Sequence, residues 1–459
     1  EKLLNCLPEF IVNNRISWLT LRAIAHHRRN NPPDFEDVKV IQTTLLKQFC
    51  DLATISTGDD NTDAEMRVYC AYSYPAVVLL FGPEHWEGPL KQCFFSLINP
   101  NHNASPEDVT LPPPPLPVKR CLASSIHTIA HILGPTITVL DILPIYRQHF
   151  FIDGDDSVRL NVIRNFPAIF MLLPKIQLRK EYLGLWKDLV RGEDLLGAYK
   201  RSATNPMLLN WRQRGHISQS LPDLIGLADS RQLHEFVWPI LKMLLVDTVS
   251  SVQEDAEWSV PLLLRSFCSD NAKDWSADVC REVISWLKET ILGSSKRGEG
   301  GGTRYSKRQV YCRICSTVGL ALQFGDGTRP PWDEQYRRLM SVAPTEPPLY
   351  VAYQSLSLTE RKSLRRLLVY DLLPPALDMK SDRVTNVRLS LMKTLQLMPP
   401  DIRSLPTVSE VLQELEEEWE TWESFLGGET VQKRPSPPAP PPPPPHRNYG
   451  LQEENRADV

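Results

Sequence analysis

The sequence has little glycine, no long apolar run and no excess of charge of one sign. Its 459 residues include 21 glycines, and the formal net charge is −4 at pH 7. A charge this small favours neither a nucleic-acid partner nor an anionic membrane. The longest uninterrupted apolar runs, residues 76–81 and 168–173, are too short to cross a bilayer. We therefore expect no nucleic acid and no membrane among its partners.

Motifs of enzymes are also missing. The sequence shows no phosphate-binding glycine loop, nucleophile elbow or kinase signature. Cys312 and Cys315 have C-x-x-C spacing, but a second ligand pair for zinc and a βαβ setting for redox chemistry are both absent. His127 and His131 lie four residues apart without the glutamate of a zincin. We expect no catalytic site, no metal and no cofactor.

The chain has nine cysteines, most of them inside apolar helical patterns. Buried, reduced thiols explain this distribution better than disulfides do, because disulfides belong to oxidising compartments. The sequence therefore predicts a protein of the cytoplasm, and of the nucleus as a second location. It begins at Glu1, already inside helical-looking sequence, which favours a fragment of a longer protein.

What the sequence does contain is a repeated pair of helices. Residues 141–170 hold two apolar stripes at helical spacing, separated by a polar corner. A proline in the first helix precedes a valine in the second by 13 or 14 residues in three places: Pro144 and Val158, Pro239 and Val252, Pro374 and Val387. A helix pair of this kind, with a period of about 40 to 47 residues, is typical of HEAT repeats.

The repeat predicts an all-α fold, a HEAT-repeat α-solenoid over residues 1–400 with a disordered C-terminal tail. Inserted loops are expected near residues 99–115, 293–306 and 325–356, where proline or glycine accumulates. Residues 401–428 hold an acidic helix that would cap the open end of the array. Residues 429–459 are proline-rich and predict a disordered tail with polyproline II character. SH3, WW or profilin-like domains could bind that tail, and a plain solvated tail is the alternative.

Polar residues recur at the corners between paired helices. Asp155, Asp156 and Asp382 could be paired carboxylates of an acid–base site, but each precedes a helix and is better explained as a cap. Arginines recur nearby, at Arg159, Arg212 and Arg388, whereas Gln253 stands where the repeat favours arginine. Such arginines either bond to an acidic cap in the next repeat or contact a partner.

Trp211 lies on one of these corners. It is either a packing residue or the aromatic anchor of an interface. As a set, the corner residues form the predicted partner-binding surface: Asp155, Asp156, Arg159, Trp211, Arg212, Ser250, Ser251, Asp382, Arg383 and Arg388.

Several strings resemble one family, the HEAT-repeat regulatory subunits 1 of serine/threonine-protein phosphatase 4. They are CAYSYPAVVLLFG at residues 70–82, RCLASSIHTIAHILG at 120–134, NWRQR at 210–214, DTVSSV at 247–252 and DRVTNVRLSLMKTL at 382–395. The resemblance covers residues 64–397. It implies an α-solenoid similar to the scaffold subunit of type 2A phosphatases. It also implies that this solenoid binds the phosphatase 4 catalytic subunit through its inter-helix turns and directs that subunit to phosphoprotein substrates.

The chain departs from the family in its long insertions, its acidic helix and its proline-rich tail. It also lacks the GDxHG, GDxxDRG and GNHE strings of the phosphatase catalytic subunit, so catalysis would belong to the partner. The favoured function is a non-catalytic regulatory or scaffold subunit. An importin-like transport adaptor and a cytoskeletal adaptor built on the same solenoid remain as alternatives.

Overall fold

The computed structural model describes residues 46–53, 60–98, 115–151, 155–174, 176–191, 210–269, 274–293, 304–324 and 356–427. Every regular element in these ranges is a helix, and they contain no strand. The predicted all-α class is therefore confirmed for this part of the chain. The expected inserted loops fall almost entirely outside these residues, as does the whole tail from residue 429.

The helices are short to medium in length and follow one another closely. In chain order the α-helices are α1 (Leu46–Ala53), α2 (Asp60–Phe81), α3 (Lys91–Ile98), α4 (Leu116–Ile137), α5 (Leu143–Ile145), α6 (Asp156–Met171), α7 (Ile176–Arg191), α8 (Trp211–Leu227), α9 (Ser230–Gln232), α10 (Trp238–Leu245), α11 (Ser250–Glu257), α12 (Ser259–Ser269), α13 (Asp274–Trp286), α14 (Arg304–Phe324), α15 (Leu358–Leu367), α16 (Leu373–Leu377), α17 (Thr385–Gln396), α18 (Pro400–Arg403) and α19 (Pro406–Gly427). Short 3-10 turns occur at Pro83–His85 and Asp378–Ser381, and π-helical turns at Trp86–Leu90, Thr138–Ile142, Tyr146–Phe151, Leu233–Val237, Leu287–Gly293 and Leu368–Leu372.

One row of helices runs through the described chain. Its members are α2, α4, α6, α8, α11 with α12, α14, α17 and α19, and each packs on the member before it. We call this the second-helix row, because between consecutive members the chain passes through a bent or shorter helical segment. Sequence-distant helices are thus brought side by side in chain order, which is how a repeat array builds a continuous core.

The intervening segments form a parallel arrangement that we call the first-helix row. Polar contacts join its consecutive members: Lys91 with Asp141 (3.0 Å), Arg147 with Glu181 (2.5 Å), Lys180 with Glu235 (3.0 Å) and His234 with Glu282 (2.9 Å). Buried aromatic side chains add to them, such as Trp238 against Trp286 at 5.2 Å between ring centroids. Both rows are therefore held by contacts between neighbouring helix pairs.

The prolines of the repeat explain the π-helical turns. A proline within a helix has no N–H, and its ring collides with the carbonyl four residues earlier. A π turn gains one residue and relieves the collision. The residue before each proline donates its N–H to the carbonyl five residues back: Leu143 to Thr138, Trp238 to Leu233 and Leu373 to Leu368. Pro144, Pro239 and Pro374 therefore mark the same bend in three first helices.

Tyrosines of the neighbouring helices bond to carbonyl groups beside two of these bends. Tyr182 donates its hydroxyl to the Leu143 carbonyl, and Tyr311 donates to the Leu372 carbonyl, both at 3.0 Å. Both side chains are buried. The bends thus keep their backbone acceptors satisfied inside the core.

One stretch, Leu116–Phe151, is long and apolar enough to cross a membrane by length and composition alone. It exceeds the uninterrupted runs considered above because it tolerates scattered polar residues. In the structure it bends sharply at Gly134, whose φ of 82° lies outside the helical range, and at Pro135. The two arms fold back against each other, and α4 also packs on α2 and α6. The stretch is therefore part of the helix-pair array.

The acidic helix predicted within residues 401–428 is α19, which runs from Pro406 to Gly427. Its apolar side chains Val408, Leu412 and Leu415 are buried where it packs on α17, whereas Glu414 and Glu417 are exposed. A polar outer face at the end of an array is what a capping helix needs. Its role as a cap stays a prediction.

Candidate functional site

The first residues of α4, α6, α8, α11, α14 and α17 form one surface, which we call the helix-start edge. Side-chain bonds link each start to a neighbour in the second-helix row. Three of these bonds join an arginine to an aspartate that stands 33 to 74 residues later in the chain: Arg120 with Asp155, Arg214 with Asp247 and Arg308 with Asp382. Gln213 makes a fourth link by donating to Asp156. Most of the predicted corner residues lie on this edge.

The three arginine–aspartate pairs have similar geometry and different exposure. Arg120 donates to both Asp155 oxygens, at 3.1 and 2.6 Å, and Arg214 donates to both Asp247 oxygens, at 2.5 and 3.0 Å. The Arg120 side chain is 46% exposed and that of Arg214 is 9% exposed. The same two-pronged contact is therefore solvent-accessible in one repeat and buried in another.

Each aspartate of these pairs also accepts backbone N–H groups beside the helix that follows it, but only Asp155 is the cap of its helix. The N-cap residues of α11 and α17 are Val249 and Val384, so the prediction that Asp382 is a cap is wrong. Asp155 accepts from the backbone N–H groups of Ser157 and Val158, both at 3.0 Å. Asp247 accepts from Val249 and Asp382 from Val384, both at 2.9 Å and both two residues downstream. Capping aspartates satisfy N–H groups that the helix leaves unpaired. The Asp155 carboxylate thus caps α6 and joins it to α4 through Arg120.

The electrostatics of the edge follow from these contacts. The Arg120 guanidinium is the main cause that lowers the pKa of Asp155 to about 2, and the backbone N–H of Val158 adds to it. The carboxylate is therefore charged at any physiological pH. Because the Asp155 carboxylate stays deprotonated, it cannot act as a proton donor. Held by an arginine and a helix start, it is a structural link.

A second polar contact is made at the starts of α11 and α17. Gln253 donates its side-chain amide to the Asp247 carbonyl, and Arg388 donates to the Asp382 carbonyl, both at 2.5 Å. Glutamine therefore makes the same contact that arginine makes in the last repeat. Gln253 departs from the arginine of the repeat pattern but keeps the hydrogen bond to the backbone carbonyl.

The most exposed aromatic group on this edge is Trp211. Asn210 fixes its backbone by a capping box with Gln213, in which each side chain bonds the other residue's N–H at 3.0 Å. The indole is 49% exposed, and the Arg212 guanidinium lies 5.0 Å from its ring centroid. A cation above an aromatic face is a favourable pair. Trp211 is thus held on the surface and is not a core residue of this chain.

Comparison with known proteins gives related sequences but no family model that matches. The chain is 25% identical over 279 residues to human "Serine/threonine-protein phosphatase 4 regulatory subunit 1" and 26% identical over 286 residues to the mouse protein of that name. The matches cover 61% and 62% of this chain. The chain is a distant homologue of phosphatase 4 regulatory subunit 1. It spans about a quarter of the length of the curated relatives it matches, 25% in each case.

The strings that resemble phosphatase 4 regulatory subunit 1 contain the helix-start contacts. Arg120 opens the second of them, and Arg214 closes NWRQR. Asp247 and Asp382 are the first residues of DTVSSV and DRVTNVRLSLMKTL. Four of the six residues in the arginine–aspartate pairs therefore lie within these strings, whereas Asp155 and Arg308 lie outside them.

The predicted partner-binding residues divide into two groups in the structure. Asp155, Asp156, Asp382 and Arg388 engage in contacts within the chain, and Arg388 also pairs with Glu418 of α19 at 2.5 Å. Trp211, Arg212, Ser250, Ser251 and Arg383 are exposed, and Asp156 is exposed as well despite its contact with Gln213. Arg159 lies half-buried on the first turn of α6. Whether any of them contacts a partner stays a prediction.

The arginines that bond to the aspartates before α6, α11 and α17 are different from those expected to bond to an acidic cap. In the repeat that starts with α8, the bonding arginine is Arg214, two residues beyond the expected Arg212. In α4 and α14 the corresponding residues are Arg120 and Arg308, which were not among the arginines expected to make such bonds. In the first two pairs the sequence signal is the spacing to the aspartate just before the next helix of the row, 35 residues from Arg120 to Asp155 and 33 from Arg214 to Asp247. From Arg308 to Asp382 the spacing is 74 residues.

The residues with possible metal or redox chemistry lie inside helices. Cys312 and Cys315 are buried in α14, and burial raises the pKa of Cys312 to about 12. His127 is half-buried on α4, and its pKa is lowered by burial and by the nearby His131 and Arg164. The described residues contain no cluster of three groups that could hold a metal ion.

Proposed function

We propose that the chain is a non-catalytic regulatory or scaffold subunit that binds a type 2A-like serine/threonine phosphatase, the phosphatase 4 catalytic subunit. The similarity to phosphatase 4 regulatory subunit 1 carries this proposal. The helix-start edge supports it, because it offers an exposed aromatic group among polar side chains. Such a composition is typical of the anchor of an interface.

We also propose that the two rows of helices are a HEAT-repeat α-solenoid. Three observations support this architecture: the ordered packing of the second-helix row, the proline bend repeated in three first helices, and the arginine–aspartate pairs between neighbouring repeats. In a solenoid each repeat contacts only its neighbours, so one edge of every repeat lies on a continuous surface. That surface can hold a protein much larger than one repeat.

The mechanism that follows is geometric. The turns of several repeats would hold the catalytic subunit, and other repeats would collect phosphoprotein substrates and bring them to the enzyme. Hydrolysis would take place entirely in the partner, whose metal-binding strings this sequence lacks. The contribution of the chain is effective concentration, because two ligands held on one scaffold meet far more often than free ones.

The experiment measures the affinity of the full chain for purified phosphatase 4 catalytic subunit. Truncation of a central aromatic anchor costs about 2 kcal/mol or more, so Trp211→Ala should weaken binding by at least roughly thirtyfold. Tyr370→Ala is the matched control, since Tyr370 is 72% exposed and lies on a first helix away from the helix-start edge. The control should bind like the unmodified chain.

The outcomes separate the proposals. Unchanged affinity in a folded Trp211→Ala variant would remove Trp211 from the interface but leave the scaffold function. No binding of the catalytic subunit by the unmodified chain would refute the function itself. A chain that captures a Ran-type GTPase with cargo would be a transport adaptor. Binding of a cytoskeletal partner that is lost when residues 431–459 are deleted would indicate a cytoskeletal adaptor.

A further inference from the structure

Two thiols meet where α12 is followed by α13. Cys268 lies at the end of α12, Cys280 lies within α13, and their Sγ atoms are 3.8 Å apart. The two helices pack against each other. A disulfide needs its sulfur atoms about 2 Å apart, so a shift of less than two ångströms between packed helix ends would bring them into bonding distance.

The two thiols differ in exposure and acidity. Cys268 is half-buried, and a hydrogen bond from Cys280 lowers its pKa. Cys280 is 7% exposed, and the same hydrogen bond together with burial raises its pKa. One thiol is therefore placed to be the reactive thiolate, and the other to be its protonated neighbour. Burial raises the pKa of Cys70, another buried thiol, to about 12.

We propose that Cys268 and Cys280 form a reversible disulfide when the chain meets a hydroperoxide, and that this bond fastens α12 to α13. The Cys268 thiolate attacks one peroxide oxygen, the S–O bond forms, the O–O bond breaks, and hydroxide leaves. The sulfur of Cys280 then attacks the sulfenic acid, the S–S bond forms, and the S–O bond breaks. The proton of Cys280 and the departing hydroxide give water. The two thiols lose two electrons, and the peroxide gains them.

The position of the pair gives the bond a consequence. α12 belongs to the second-helix row and α13 to the first-helix row, so the disulfide would lock a corner of the array. Three residues before Cys268, Arg265 pairs with Glu360 of α15 at 2.9 Å. The same end of α12 thus holds the next helix pair. Oxidation would stiffen the junction of two repeats, and a reductant such as glutathione would release it.

The sequence makes the test direct. Trypsin cleaves after Arg265, Lys273 and Arg281, so Cys268 and Cys280 fall into separate peptides, SFCSDNAK and DWSADVCR, with one cysteine each. The full chain is treated with dilute hydrogen peroxide, its free thiols are alkylated, and it is digested and analysed by mass spectrometry. We expect the two peptides joined and lighter by two hydrogen atoms, and dithiothreitol added before alkylation should restore both free thiols.

Two variants and one control complete the experiment. In Cys280→Ser the joined peptide disappears, and Cys268 accumulates as a sulfenic acid that dimedone traps. Cys121, half-buried with a pKa raised by burial, should stay alkylatable at the same peroxide dose. The proposal is refuted if Cys268 of the unmodified chain goes to sulfinic acid while Cys280 stays free, if either pairs with another cysteine, or if neither reacts. The unmodified chain alone decides this, whatever the folding of the variant, and the result does not depend on the phosphatase proposal.

Discussion

Loss of the buried Arg214–Asp247 pair should destabilise the chain strongly, and loss of its exposed counterpart should not. Arg214 donates to both Asp247 oxygens, and the two side chains are 9% and 5% exposed. Arg214→Ala leaves the Asp247 carboxylate in a site that water hardly reaches, with the Val249 N–H as a remaining donor. Removal of one partner of a buried pair costs about 3 to 5 kcal/mol, because the other charge stays desolvated.

The matched control is Arg120→Ala. Arg120 makes the same two-pronged contact with Asp155, but its side chain is 46% exposed. Water can replace the lost guanidinium there, and exposed ion pairs contribute about 0 to 1 kcal/mol. The two substitutions remove the same atoms from equivalent positions, so the difference between them measures burial.

The assay is urea unfolding of the full chain, monitored by circular dichroism. Hydrogen exchange of the α8 and α11 backbone is measured alongside it. Because repeat arrays can unfold in parts, hydrogen exchange tells whether the loss is local to these helices. The double variant Arg214→Ala, Asp247→Asn should lower the free energy of unfolding by less than the sum of the two single variants. Equal effects of Arg214→Ala and Arg120→Ala, or a cost below about 1 kcal/mol for Arg214→Ala, would refute the argument from burial.

Two further predictions concern pH and catalysis. The lowered pKa of Asp155 contributes stability that is fully present above the ordinary aspartate value, about 4, and that is lost as the pH falls towards about 2. Unfolding midpoints measured through this window should fall less in Arg120→Ala than in the unmodified chain, and parallel curves would contradict the assignment. The purified chain should not hydrolyse p-nitrophenyl phosphate, and activity that persists after immunodepletion of phosphatase catalytic subunits would reveal a site that the sequence does not show.

The helix pairs were predictable because burial imposes a period. Apolar residues at helical spacing and a proline at a constant distance from a valine are local features, and the structure has helices at those places. Capping is local as well, so Asp155 before α6 could be assigned from the sequence, whereas Asp382 lies two residues before the N-cap of α17. Of the two adjacent candidates Asp155 and Asp156, the cap of α6 is Asp155.

The partners across repeats were harder to predict, because they depend on rotation about the helix axis. A residue two positions further along a helix points about 200° away. Arg212 and Arg214 therefore face different neighbours, although both stand near the start of α8: Arg212 lies over Trp211, and Arg214 reaches Asp247. The contact of Cys268 with Cys280 has the same origin, since the end of one helix and the middle of the next meet only after packing.

Some residues of the helix-start edge make contacts within the chain and others are exposed, and this difference limits which residues a partner can bind. Asp155 already caps α6 and holds Arg120, and Asp382 holds Arg308, so a partner that bound these carboxylates would have to break contacts inside the scaffold. Exposed groups carry no such cost, and Trp211 with Arg212 is the largest of them on this edge. A substitution at a capping aspartate therefore acts first on stability and only then on binding, whereas a substitution at Trp211 can act on binding alone. Interface mapping on this edge should begin with the exposed group.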